Sequence, residues 1–231
     1  MNETLQNQYG GALNGGLSVD RQRVLRNTYW LLALSMVPTV LGAWVGVTTG
    51  IMATMGMGMS MMVFMVGAFG LMYAVEKTKN SSTGVFVLLA FTFFMGLMLS
   101  RMLAQILGFR NGSSLIMMAF GGTGAIFFAM ATLATVIKRD LTNMGKFLYV
   151  GAIILLVVGL ANIFIQSSAL MLTMLALSMA VFSAFMLYDI KRVIDGGETN
   201  YISATLAIYL DIYNVFQSLL SLLGIFGGER D

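Results

Sequence analysis

From Asn27 to Val75 the chain runs for 49 residues without one charged side chain. Few chains that fold in water can do this, whereas a bilayer demands it. A hydrocarbon core about 30 Å thick takes roughly 20 apolar residues per helical crossing. Thr48-Thr49-Gly50 marks a turn near the middle of that run, so it holds two crossings. Asn80 to Ser100 and Asn111 to Ile137 are one charge-free crossing each. Phe147 to Tyr188 is long enough for two, divided at Gln166-Ser167-Ser168, and Thr199 to Gly228 supplies the last. The expected fold is therefore an all-α integral membrane protein of seven transmembrane helices. The spans are placed at about 28–48, 53–75, 83–100, 114–137, 146–165, 169–190 and 202–226, in one membrane domain covering 26–228. Residues 1–25, polar and rich in Gly, Asn and Gln, form a flexible tail. With 58% hydrophobic and 10% charged residues, a soluble domain is excluded.

The charges that remain set an orientation. Ten of the thirteen Lys and Arg residues fall in the tail and in the loops at 76–83, 138–146 and 191–199. Arg101, Arg110 and Arg230 lie on the other side. The positive-inside rule then places the N-terminus in the cytoplasm and the C-terminus outside, as an odd number of crossings requires. The same rule accounts for the basic balance without nucleic acid. Arg21, Arg23 and Arg26 before an apolar run resemble a signal peptide, but Tyr29 to Val47 is too long for one and lacks a cleavage site. An uncleaved first helix is expected.

Cysteine and histidine are both absent. Disulfides, thiolate chemistry and the usual zinc or haem sites are thereby excluded, and no cofactor is expected. Any pH sensing near neutrality would have to use a carboxylate rather than an imidazole. Methionines crowd the second span (Met52, Met55, Met57, Met59, Met61, Met62, Met65). Without Cys or His they are expected to pack or face lipid rather than bind Cu(I). Gly121-Gly122-Thr123-Gly124 follows no strand and precedes no nearby base, so it is no phosphate loop. These glycines, with Gly151 and Gly159, are expected to allow close helix approach.

The final span carries one charge, Asp211, about 16 Å from Asn200 and thus near the middle of the bilayer. An acid at that depth faces a bundle interior or a water-filled cavity. Asp211, Asn214, Ser218 and Ser221 recur at helical spacing with Gln217 beside them. Lipid would reject that polar face, so six helices are expected to surround a central seventh. The sixth span ends at Leu187-Tyr188-Asp189, before a turn at Asp195-Gly196-Gly197 and a cap at Thr199 or Asn200. The last two spans then form a hairpin with an aspartate in each. Counted from the turn, Asp189 lies about 9 Å shallower than Asp211, so a tilt or an irregular start to the last helix is needed before they touch. If they meet, two carboxylates in a low-dielectric site cannot both ionise freely and are expected to share a proton. Loss of that proton leaves negative charge, for which Asp189, Asp211, Asn214 and nearby carbonyls supply the oxygen ligands that calcium prefers. The plainer alternatives are a solvated boundary residue at Asp189, near Lys191 and Arg192, and a structural buried acid at Asp211.

Asp195-Gly196-Gly197-Glu198-Thr199-Asn200-Tyr201, followed by Ala207-Ile208-Tyr209-Leu210-Asp211-Ile212-Tyr213-Asn214, resembles the Bax inhibitor-1 family. That turn, with Val24-Leu25-Arg26-Asn27-Thr28-Tyr29, looks like the family's bacterial YccA-like branch. The resemblance covers the chain from about residue 20 onward. It implies a central last helix and a pH-sensitive calcium leak gated by two aspartates, matched here by Asp189 and Asp211. It further implies a basic latch at the end of the second span, for which Lys77 is the nearest candidate. Some YccA-like members are known instead as modulators of a membrane-anchored ATP-dependent protease, which makes such a protease the alternative partner beside calcium, protons and the lipid bilayer. An intramembrane aspartyl protease is the weakest reading. The second acid stands in Tyr209-Leu210-Asp211 rather than Gly-x-Gly-Asp, and Pro38 is the only proline. No enzyme is expected.

Overall fold

A computed structural model describes residues 3–229, with side chains from residue 20 onward except at 57. All regular structure among the described residues is helical: α1 Glu3–Thr49, α2 Ile51–Thr54, α3 Met57–Thr78, α4 Ser82–Leu107, α5 Gly112–Val136, α6 Thr142–Ile165, α7 Ser168–Asp195 and α8 Tyr201–Gly227. Seven of these helices are long and apolar enough to cross a membrane, the first of them over Asp20–Thr49. The chain is an integral membrane protein. The polar stretch that the sequence sets off as a tail is helical in backbone from Glu3, and its side chains before residue 20 lie outside the described residues.

Two of the helices differ from the expected spans in ways that bear on the interior of the bundle. The crossing expected at 53–75 starts with a separate turn, α2, and a break at Met55–Gly56 before α3. The crossing expected to end at 100 continues to Leu107, so Arg101 lies inside α4 rather than in a loop. A charge usually ends a span, but this one lines a cavity and needs no loop to reach water.

Close packing of α1 on α4 fixes one side of the bundle. A Cβ on Gly42 would strike the backbone of Phe93, one on Gly96 would strike that of Thr39, and one on Gly46 would strike the Ser100 side chain. Small residues four apart on both helices thus let the backbones meet, which is how helices associate where lipid gives no hydrophobic drive. The glycines expected to play this part behave differently. Gly121 and Gly124 face open space, whereas Gly122 lies against Leu219 and Gly159 against Met174.

Helix α8 is the most enclosed of the seven, and it packs on α1, α3, α4, α5 and α7. Helix α6 packs on α7 and faces α8 across a cavity. The tyrosines of α8 anchor one of its faces. Tyr209 shares a 2.9 Å hydrogen bond with the Thr39 hydroxyl, and Tyr213 donates to the Met95 carbonyl at 3.2 Å. With 3.6 residues per turn, Asp211 points about 160–200° away from both, toward α7.

Candidate functional site

The hairpin that carries both aspartates has well-defined ends. Gly196 takes the left-handed conformation (φ 81°) that terminates α7, and the Arg192 carbonyl accepts from the Gly197 and Glu198 amides. Of the two caps considered, Asn200 is the one used. Its side chain accepts from the Ile202 and Ser203 amides at 2.9 and 3.2 Å. The same amide donates to the Lys79 carbonyl at 3.0 Å, tying the start of α8 to the α3–α4 turn. Close by, Glu76 pairs with Lys79 and accepts from the Ser203 hydroxyl.

This frame brings Asp189 and Asp211 together, both of them buried. Their carboxyl groups lie within hydrogen-bonding reach of each other. Asp211 Oδ2 has no donor directed at it among the described residues. Two carboxylates are both acceptors, so the contact becomes a hydrogen bond only when the pair carries a proton. Around Asp189 the charged neighbours are Arg192 on its own helix and Glu198 in the turn, which form a 3.6 Å ion pair. The Tyr149 ring of α6 is close enough to feel both acids.

The structure does not bring Lys77 to the pair. Its ammonium lies over the Tyr73 ring, 5.4 Å from the centroid, on the exposed side of α3. Residue 76 rather than 77 turns toward α8, because neighbouring helical positions point about 100° apart. The cation nearest Asp189 is Arg192, which also donates to the Gly197 carbonyl at 3.3 Å. Lys191 is buried but committed to Asp195 at 2.8 Å. Asn214 stands one turn beyond Asp211, donates to the Leu210 carbonyl at 2.8 Å and lines the cavity between α6, α7 and α8.

As a cation site the pair is sparse. No group of three or more acidic, Cys or His side chains comes together among the described residues. Calcium takes six to eight oxygens. Two carboxyl groups and an amide suit an ion in passage better than a resident one.

The family model described as "Inhibitor of apoptosis-promoting Bax1" matches residues 21–228, nearly the whole chain. The chain belongs to the Bax inhibitor-1 family. Bacterial proteins are similar to it over nearly their whole length. A membrane protein of Vibrio cholerae is 40% identical over 212 residues, covering 90% of this chain and 92% of the relative. The Escherichia coli protein named "Modulator of FtsH protease YccA" is 37% identical over 202 residues, covering 87% and 90%. A Pseudomonas aeruginosa protein is 36% identical over 219 residues, covering 94% and 96%. Within this Bax inhibitor-1 chain, sequence reasoning passed over two features of the site. Arg192 had been counted only as a flanking charge, although its position three residues after Asp189 puts it on the same helical face. The double use of Asn200 joins residues 120 apart, and nothing local signals it.

Proposed function

We propose that this Bax inhibitor-1 protein is a pH-sensitive calcium leak gated by Asp189 and Asp211, rather than an enzyme. The observation that carries the reading is that the two buried carboxyl groups lie within hydrogen-bonding reach of each other, with one Asp211 oxygen left without a donor among the described residues. With one shared proton the pair carries a single negative charge and is joined and closed. Without it, negative charge in a low-dielectric bundle repels itself and attracts a cation. The face bearing the α7–α8 turn is cytoplasmic in this reading, because ten of thirteen basic residues gather on it, and the membrane is the bacterial inner membrane. Calcium is cargo, and the turn-side Arg192–Glu198 pair stands where an ion would leave. Reconstitution into proteoliposomes tests this. Calcium flux should rise with pH and fall with Asp211→Asn, and wild-type flux equal to that of empty vesicles would end the idea.

A second reading rests on the 37% identity to the Escherichia coli modulator of FtsH protease. Here the chain restrains a membrane-anchored ATP-dependent protease through its N-terminal segment and bundle surface. Deleting residues 1–20 should then alter turnover of the protease's substrates. Unchanged turnover removes that segment from the account.

A further inference from the structure

A cavity of about 350 Å³ lies between α6, α7 and α8, beyond the aspartate pair as seen from the turn. Asn162, Ser178, Asn214, Gln217, Ser218 and Ser221 face it, each uncharged and each bearing an oxygen acceptor. Asn162 is three residues from the end of α6, about 4.5 Å from the face opposite the turn. Asn214 is three residues past Asp211, again about 4.5 Å. The cavity thus spans the half of the bilayer away from the turn and stops one helical turn short of the carboxyl groups. Its volume suits on the order of ten waters. Ser218 donates to Ser178 at 3.1 Å, Gln217 donates to the Tyr213 hydroxyl at 3.4 Å, and Asn162 Oδ1 accepts from the Ser167 amide at 3.1 Å, which leaves these groups further lone pairs and N–H donors for water to meet. Asn214 spends an N–H on Leu210, which leaves its Oδ1 to the cavity.

A second cavity of similar size, between α3, α4 and α8, differs in charge. It holds Arg101, which has no acidic partner among the described residues, beside Ser60 and Tyr213. Gln217 stands in the wall common to both. A guanidinium without a counter-ion disfavours cations in a confined, low-dielectric space. The first cavity has no such charge.

We propose that the α6–α7–α8 cavity is a water-filled vestibule admitting cations to the aspartate pair from the face opposite the turn, and that the Arg101 cavity is closed to them. The vestibule deepens the leak reading and rests on it for the identity of the ion.

The natural chain has no cysteine, so single thiols report cleanly. Ser178→Cys and Ser60→Cys are made in the full chain, reconstituted, and exposed to membrane-impermeant cationic and anionic methanethiosulfonates from the face opposite the turn. Relative to a free thiol, Ser178→Cys should favour the cationic reagent by at least roughly tenfold, and Ser60→Cys the anionic one. Ser221→Cys stands in if Ser178→Cys does not fold. A thiol at 178 and 221 that neither reagent reaches, or that prefers the anion, overturns the proposal. So does complete labelling at 178 with calcium flux unchanged. Absence of flux in the unlabelled wild type fails the leak alone, and the labelling pattern then decides the vestibule by itself.

Discussion

Asp189 and Asp211 come within hydrogen-bonding reach of each other although they stand at unequal distances from the turn that joins their helices. Asp189 is six residues from the end of α7 and Asp211 ten from the start of α8, about 9 and 15 Å. Helix α8 begins in a regular, capped turn, so no distortion of its start closes the gap. Gly197 and Glu198 fold back on the Arg192 carbonyl, and Asn200 is extended (φ −99°, ψ 114°), which adds up to roughly 3.3 Å of reach before α8. The start of α8 can therefore lie beyond the end of α7, with Asn200 docked on the α3–α4 turn.

A contact that shares one proton should behave as a unit. Asp211→Asn replaces the proton with an amide N–H that donates to Asp189 at any pH. Flux is expected to become low and to lose its response to pH, because no shared proton is left to come and go. The double variant with Asp189→Asn should be no worse than either single one, because groups in contact are not additive. Two independent, multiplying losses of flux would contradict the shared proton. Lys77→Ala should leave the pH response intact, whereas Arg192→Gln should alter it, since only Arg192 stands beside Asp189.

Asn200 both caps α8 and ties it to Lys79 and Asn80. Loss of the cap alone costs about 1 kcal/mol. Asn200→Ala is expected to lower the melting temperature in detergent and, by freeing the linker, to loosen the pair. Asn200→Asp keeps the acceptor and loses the donor. It should recover the cap's share of the stability without recovering wild-type flux.

The lipid's intolerance of charge made the seven crossings legible, since each charge-free run had to be a helix or be broken by a turn. The same rule failed at Arg101, because a charge that faces a cavity does not mark a helix end. The helical wheel placed Asp211, Asn214 and Ser218 on one face. What it could not supply was depth between neighbouring helices, which depends on the course of the turn that joins them. The basic partner was likewise beyond it: at the end of α3, a shift of one position separates Glu76, turned to Ser203, from Lys77, turned to Tyr73. Glycines were visible as candidates for close approach, but which of them meet another backbone depends on which faces pair. That is why Gly42 and Gly96 carry the seam while Gly121 and Gly124 do not.

One carboxylate outside the spans gives a pH prediction with a definite sign. In the α5–α6 loop, Asp140 Oδ1 accepts from the Thr142 hydroxyl at 2.6 Å and from its amide at 2.8 Å. These bonds, the hydroxyl foremost, hold the Asp140 carboxyl below its ordinary range. A carboxyl depressed on folding contributes stability above its unfolded value and loses it as pH falls through the folded one. Thr142→Ala should therefore move the Asp140 titration upward, toward ordinary aspartate, as followed by carbonyl chemical shift. A titration unmoved by the substitution would assign the depression to the residue-142 amide and to Lys191 rather than to the hydroxyl.

The α1–α4 seam makes the strongest stability claim. A Cβ at Gly96 would meet the Thr39 carbonyl and the Ala43 amide, both backbone, and neither can swing aside as a side chain can. Overpacking that forces a backbone shift costs typically 1–3 kcal/mol. Gly96→Val is expected at or above the top of that range, and it should also displace the Thr39 hydroxyl from Tyr209, the residue that turns Asp211 toward α7. Gly121→Ala, which faces open space, should change the melting temperature little. Measured side by side in one detergent, the two substitutions separate a seam that positions the aspartates from a general preference for small residues. If they cost the same, close backbone approach at Gly96 is not what holds α1 to α4.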